Sequence, residues 1–271
     1  MTTRLAGTAG TFTRPDRLVV EEPMEVRLDD HVATTTMRTP GHDYELAVGF
    51  CLTEGLLSGA PVRSVRYCAT GSADATHYNV VTVSTGGRAP VPEARLRTAT
   101  SSCGLCGSAS LETLSQRLSP VPGPPPAVDL ATLGRVSART RDSQPLFDAT
   151  GSIHAASVFD PVTGDVTLVR EDIGRHNAVD KVVGRLLLDE RLPAHGLGLF
   201  VSGRASFEIV QKAWAAGFSM VAAVSGPSAL AVETARAANL VLIGFLRESD
   251  DGPPTANQYS PEPGLPAQAA G

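Results

Sequence analysis

The sequence predicts an α+β first part followed by an α/β second part. Three observations carry this. Val- and Thr-rich stretches flank a pair of aspartates near the start, a helix-spaced apolar segment follows them, and the second half holds three short apolar runs separated by two helical patterns. Strand, helix, strand, helix, strand is the rhythm a parallel sheet requires, because parallel neighbours need crossover connections and both sheet faces must be covered. The 271 residues accordingly divide into 1–107, an N-terminal part ending in a cysteine loop, 108–247, an α/β part, and 248–271, a tail expected to be flexible.

In chain order, Arg17 to Thr39 reads as a β-hairpin turning at Asp29-Asp30 and stopped by Pro40-Gly41. Residues 43 to 57 place Leu46, Ala47, Phe50, Cys51, Leu56 and Leu57 at helical spacing, which predicts an amphipathic helix with Cys51 in the core. Further strands are expected at Val62 to Ala69, at His77 to Ser84 and before Thr100. A short helix is expected from Ser108 to Leu118. Ser119 to Ala127 holds five prolines in nine residues and so predicts an exposed, extended connection. The apolar runs are Leu197 to Val201, Met220 to Val224 and Leu240 to Leu246; the helices between them span Ser206 to Ala216 and Ser228 to Ala238.

Composition excludes several classes. With 42% hydrophobic and 19% charged residues the chain can bury a core. A net charge of -5 argues against a general nucleic-acid binder, which needs a basic surface to displace counterions. No apolar run approaches the ~20 residues that cross a bilayer, and Met1 to Gly10 lacks the order of a secretory signal, so no membrane association and a cytoplasmic location are expected. Four cysteines are too few for a disulfide scaffold of this length, and in a reducing compartment a close pair points to metal or thiol chemistry.

That pair lies in Thr100-Ser101-Ser102-Cys103-Gly104-Leu105-Cys106-Gly107. Flexible glycines let a thiolate approach another sulfur, and a helix beginning at Ser108 would lower the nearby thiol pKa, which suits sulfur transfer or disulfide exchange. Structural zinc is a competing reading, although no second C-x-x-C exists and only Cys68, His154 or His176 remain to complete a site. A thioredoxin-like redox pair would be expected sooner after a first strand. A zinc deaminase would need an H-x-E element that occurs nowhere. A second signal, Arg170 to Lys181, gathers charge, His176 and Asn177 where a helix begins. His176 has the chemistry of a general acid/base and Arg175 that of an anion binder, and the same residues equally fit a capped helix start whose charges pair with one another. The third signal is two strand-end turns, Ser202-Gly203-Arg204 and Ser225-Gly226-Pro227-Ser228. Helix N-termini at such turns offer backbone donors to phosphate, and small residues there also suit any α/β fold.

Together, S-S-C-G-L-C-G at 101–107, R-E-D-I-G-R-H-N-A-V-D-K at 170–181, S-G-R-x-S-F-E-I-V-Q-K at 202–212 and I-G-F-L-R at 243–247 resemble the FdhD family of formate dehydrogenase accessory sulfurtransferases. T-P-G-H-D-Y-E-L-A-V-G-F at 39–50 also fits the family's early helix. The resemblance implies a sulfur carrier that takes persulfide sulfur from a cysteine desulfurase. It would pass that sulfur to the molybdenum or tungsten bis-guanine-dinucleotide cofactor, bound as substrate, before insertion into the formate dehydrogenase catalytic subunit. It further implies a C-terminal part similar to the cytidine deaminase-like fold without zinc, and a homodimer. The alternative is a non-catalytic chaperone of the same cofactor.

By this resemblance Cys103 would hold the persulfide, with Cys106 as a relay or resolving thiol. Phe245, Leu246, Arg247, Glu248, Ser249 and Asp250 fall on the family's cofactor-binding segment. Ser202, Gly203, Arg204 and Ser225 would cradle guanine nucleotide moieties, and Arg175, His176 and Asn177 would line the same cleft.

Overall fold

The computed structural model describes residues 2–5, 11–68, 72–92, 107–248 and 252–261. Cys103, Cys106, Ser249, Asp250 and the strand expected before Thr100 lie outside them. Two short strands open the chain, β1 (Thr2–Leu5) and β2 (Thr11–Arg14), and pair antiparallel with each other. The hairpin follows, β3 (Glu22–Leu28) against β4 (His31–Arg38), turning at Asp29 as predicted. Asp29 adopts φ 51°, a left-handed conformation that aspartate tolerates, and its carboxylate accepts hydrogen bonds from the Thr85 N–H (2.8 Å) and the Thr85 hydroxyl (2.7 Å).

Strands β5 (Ser64–Tyr67) and β6 (Val80–Ser84) complete a four-stranded mixed sheet in the order β4-β3-β6-β5, with β3 and β6 parallel. Met24, Val26, Leu28, Val81 and Val83 form its buried face, packed with Leu46, Ala47, Val48 and Cys51 of helix α1 (Asp43–Thr53). The helix ends four residues earlier than its apolar spacing suggests. It is also buried on more than one side rather than amphipathic, because a second helix covers it opposite the sheet: Asp43, Glu45 and Gly49 are buried together with the apolar face.

Helix α2 (Gly107–Arg117) stands where the sequence predicts one, and two unpredicted helices follow it, α3 (Leu130–Asp142) and α4 (Pro145–Thr150). The Asp129 carboxylate caps α3 by accepting from the N–H groups of Ala131 and Thr132. Pro145 opens α4 and Gly151, at φ 66°, closes it.

Strands β7 (His154–Phe159) and β8 (Val166–Asp172) pair antiparallel and lead into helix α5 (Arg175–Leu188). The predicted alternation follows as β9 (Gly198–Val201), α6 (Phe207–Ala215), β10 (Met220–Ala223), α7 (Ala229–Ala237) and β11 (Val241–Arg247). Strands β9, β10 and β11 are parallel as expected, but they belong to a larger mixed sheet, β12-β11-β10-β9-β7-β8. Its far edge, β12 (Thr255–Ser260), comes from the segment expected to be a flexible tail. That segment is ordered there by antiparallel pairing with β11.

The two sheets are joined where α1 crosses α5. A Cβ on Gly49 would sit 1.8 Å from the Asp180 carbonyl oxygen, and one on Gly184 would sit 1.8 Å from that of Glu45. The helices touch backbone to backbone, an approach only glycine allows. Around this contact the Lys181 ammonium donates to the Asp172 carboxylate (2.7 Å) and to the Thr39 and Glu171 carbonyls. Lys212 donates to Asp180 (2.9 Å), Glu54 (3.0 Å) and Thr53 (2.9 Å). Among the described residues no helix is long and apolar enough to cross a membrane.

Candidate functional site

The parallel strands end in one row. The Ser225 N–H donates to the Gly203 carbonyl (3.2 Å) and the Phe245 N–H to the Ser225 carbonyl (3.3 Å), so the predicted turns at 202–204 and 225–228 and the end of β11 lie side by side. Small residues make this possible. A Cβ on Gly226 would fall 2.6 Å from the Phe245 ring, and Phe245 itself adopts φ 53° and keeps 43% of its surface exposed. Ser228 caps α7, its hydroxyl accepting from the Ala231 N–H (3.2 Å).

The start of α5 comes to the same place. A Cβ on Gly203 would lie 3.5 Å from the Arg175 Cδ and 3.5 Å from the His154 Nδ1, so Gly203, Arg175 and His154 share one corner. The Nε of Arg175 is buried and, among the described residues, has no hydrogen-bond partner. Burial, and then the neighbouring Arg204 charge, pull the Arg175 pKa below the ordinary guanidinium value, with Glu208 acting the other way. Two guanidinium groups thus stand close together, a type of group that pairs well with carboxylate and phosphate. His154 is pushed down by burial first and by Arg175 second. His176 is driven to about 4 by burial, then by Arg175 and Lys212, and so is neutral at pH 7. Its Nε2 lies 3.5 Å from the Ser206 hydroxyl and 3.9 Å from Glu208.

Beside this corner opens a cleft of about 520 Å³, within the range of small-molecule sites. Ser202, Val224 and Glu248 line it from the strand ends, His154 and Ile153 from β7 and the residue before it, and Gln144 and Phe147 from the α3–α4 side. Glu171 positions that side, its carboxylate accepting from the N–H groups of Leu146 (3.0 Å) and Phe147 (2.8 Å).

The predicted residues divide by where their side chains go. Gly203, Arg204, Arg175, His176, Ser225 and Phe245 gather at the strand ends, and Ser202 and Glu248 face the cleft. The Ser202 hydroxyl is already engaged, accepting from the Ala155 N–H (2.9 Å). Asn177 turns away from the cleft. Its amide donates to the Met37 carbonyl (2.8 Å) and to Asp172 (3.0 Å), and its oxygen accepts from the Thr36 hydroxyl, binding α5 to β4. Leu246 is 2% exposed and packs in a core with Phe159, Phe200 and Ile243. The Arg247 guanidinium donates to the Val224 and Leu246 carbonyls and ties β11 to the end of β10. Sequence reading missed Gln144 and Phe147. The one local signal there is Pro145 at the start of a helix.

The fold and site define an α/β protein with two mixed sheets and, at the strand ends, Arg175 and Arg204 together beside a cleft lined by polar and apolar side chains. Residues 19–261 match the model of the FdhD/NarQ family, and the chain belongs to that family. It is 49% identical over 249 residues to the sulfur carrier protein FdhD of Mycolicibacterium paratuberculosis, covering 89% of this chain and 91% of that one. It is 47% identical over 268 residues to the protein of the same name from Nocardia farcinica, covering 97% and 93%. A crystal structure provisionally described as a formate dehydrogenase accessory protein, from Desulfotalea psychrophila, superposes with a TM-score of 0.72 over 96% of both chains. At 21% identity it shows that the fold is shared.

Proposed function

We propose that this protein is a sulfur carrier in formate dehydrogenase maturation, acting through a persulfide on Cys103. The observation that carries the reading is the C-G-L-C-G segment at 103–107, which lies inside the family match and within a chain 43–49% identical to proteins named sulfur carriers. In the loading step the Cys103 thiolate attacks the terminal sulfur of a cysteine desulfurase persulfide. A new S–S bond forms, the desulfurase S–S bond breaks, and the desulfurase cysteine leaves as a thiolate. Cys106 serves as relay or resolving thiol.

The sulfur acceptor in this reading is the molybdenum or tungsten bis-guanine-dinucleotide cofactor, bound as substrate before it enters the formate dehydrogenase catalytic subunit. Two features support it. Arg175, with its unsatisfied Nε, and Arg204 suit a pyrophosphate, and the adjoining cleft suits a nucleoside. Arg175 and Arg204 would bind and orient the phosphates, and neutral His176 adds no charge beside them. When bound, the metal centre supplies the acceptor for the transferred sulfur. A cytidine deaminase-like C-terminal part, a homodimer and a cytoplasmic location complete the proposal.

The test is the mass of the purified protein after incubation with an active cysteine desulfurase and cysteine. A gain of one sulfur on the Cys103–Cys106 peptide is expected, reversed by reductant and abolished by Cys103→Ser. No gain in the wild type would overturn the carrier reading and leave a cofactor-binding chaperone.

A further inference from the structure

Gln144 is one of the polar residues that line the cleft. It is only 4% exposed, and it lines the cleft at the junction of α3 and α4. It precedes α4, yet its side chain caps no N–H of that helix. Among the described residues its carboxamide has no hydrogen-bond partner. Its carboxamide lies on the cleft wall, with two N–H donors and one oxygen acceptor to offer a bound group. Phe147, Ile153 and Phe200 add apolar surface to the lining around it. Arg141 covers one face of the Phe147 ring at 4.4 Å and leaves the rest of the ring to the cleft. Glu248 adds a carboxylate to the lining.

A carboxamide next to an aromatic wall and a carboxylate is the complement of a purine edge. Guanine presents one acceptor, O6, beside the N1–H and N2–H donors. A glutamine donates from Nε2 to O6 while Oε1 accepts from N1–H, and a carboxylate accepts from the N2 amino group. Adenine offers a donor and an acceptor that a glutamine can also pair with, but it presents C2–H where guanine presents the N2 amino group. Resting on the reading that this strand-end site holds a guanine nucleotide, we propose that Gln144 is its base-reading residue. The nucleotide then lies with its phosphates at Arg175 and Arg204 and its base between Phe147 and Glu248. This orientation gives the α3–α4 wall a specificity role and makes Glu171, which anchors that wall through the Leu146 and Phe147 N–H groups, a positioning residue for it.

The experiment is calorimetric titration of the full-length protein with GDP and with ADP, for wild type, Gln144→Leu and Gln144→Glu. Wild type binds GDP in preference to ADP. Gln144→Leu keeps the thermal midpoint, loses about tenfold or more in GDP affinity and narrows the GDP-to-ADP ratio. Gln144→Glu, which places a carboxylate against O6, weakens GDP at least as much. Unchanged GDP affinity in both variants overturns the base-reading role and leaves the nucleotide site standing. A wild type that binds no GDP overturns the nucleotide reading and this inference with it, while the persulfide mass test still judges sulfur loading.

Discussion

At the junction of α1, α5 and β4, every buried charge is answered. Lys181 and Asp172 are 1% and 0% exposed and meet at 2.7 Å, Lys212 reaches three oxygens, and the Arg38 guanidinium holds Asp43 through two nitrogens. At the strand ends the opposite holds. Among the described residues Arg175 keeps a buried Nε without a partner, Arg204 stands beside it as a like charge, and the Gln144 amide on the cleft wall has no hydrogen-bond partner. Polar groups of the same kinds serve rigidity in the first region and are left available in the second. The two regions differ in partners rather than in charge: the junction's ionised groups are engaged, while at the strand ends a buried guanidinium donor is left over.

The sharpest way to break the comparison is Lys181→Met. It strands the Asp172 carboxylate inside the protein, and removal of one partner of a buried ion pair costs about 3–5 kcal/mol. Denaturant unfolding should show that loss, and a shift under ~1 kcal/mol would mean that the junction is not a rigid, fully paired region.

Gly49→Ala comes next. Its Cβ would strike the Asp180 carbonyl, forcing α1 off α5 at a cost of about 2–3 kcal/mol, read as a lower unfolding midpoint. The same substitution should leave GDP affinity nearly unchanged in the folded protein, because the cleft lies at the other region.

The smallest effect sharpens the contrast through pH. His176 has its folded pKa depressed to about 4 against an ordinary 6.5, so the unfolded chain binds more protons between those values. Its contribution is therefore fully present above pH 6.5 and is lost as pH falls toward 4. Asp180, raised to about 6 chiefly by burial, acts with the opposite sign, favouring the folded state most at the acid end of pH 3.8–6. His176→Gln should remove the histidine's share, so that the acid-side loss of stability between pH 6.5 and 4 shrinks by about 1–2 kcal/mol. Thermal midpoints of both proteins across that range give the answer, and parallel curves would contradict it.

Much of this was legible along the chain. The Asp29-Asp30 turn could be read because aspartate tolerates the left-handed conformation that the turn needs, and the β9 to β11 alternation could be read because its period changes from strand to helix within short windows. Strand β7 is harder, since Ala155, Ala156 and Ser157 have little strand preference and are buried by their neighbours. Helix α3 is diluted by two threonines, a serine and a glycine, and α4 is a single turn and a half. Strand β12 sits among prolines and exists through its pairing with β11.

The sequence by itself determined the family, the order of the core strands and helices, the cysteine pair and the gathering of Ser202, Arg204, Ser225 and Phe245 at strand ends, because each is written in local pattern or motif. Tertiary structure alone decided that Asn177 is a strut to β4 while Arg175, two residues before it, is a free donor. It also decided that Gln144 and Glu248, a hundred residues apart, share a cleft. Whether a polar side chain is satisfied depends on what the rest of the chain brings within about 3 Å of it, and no local window of sequence contains that.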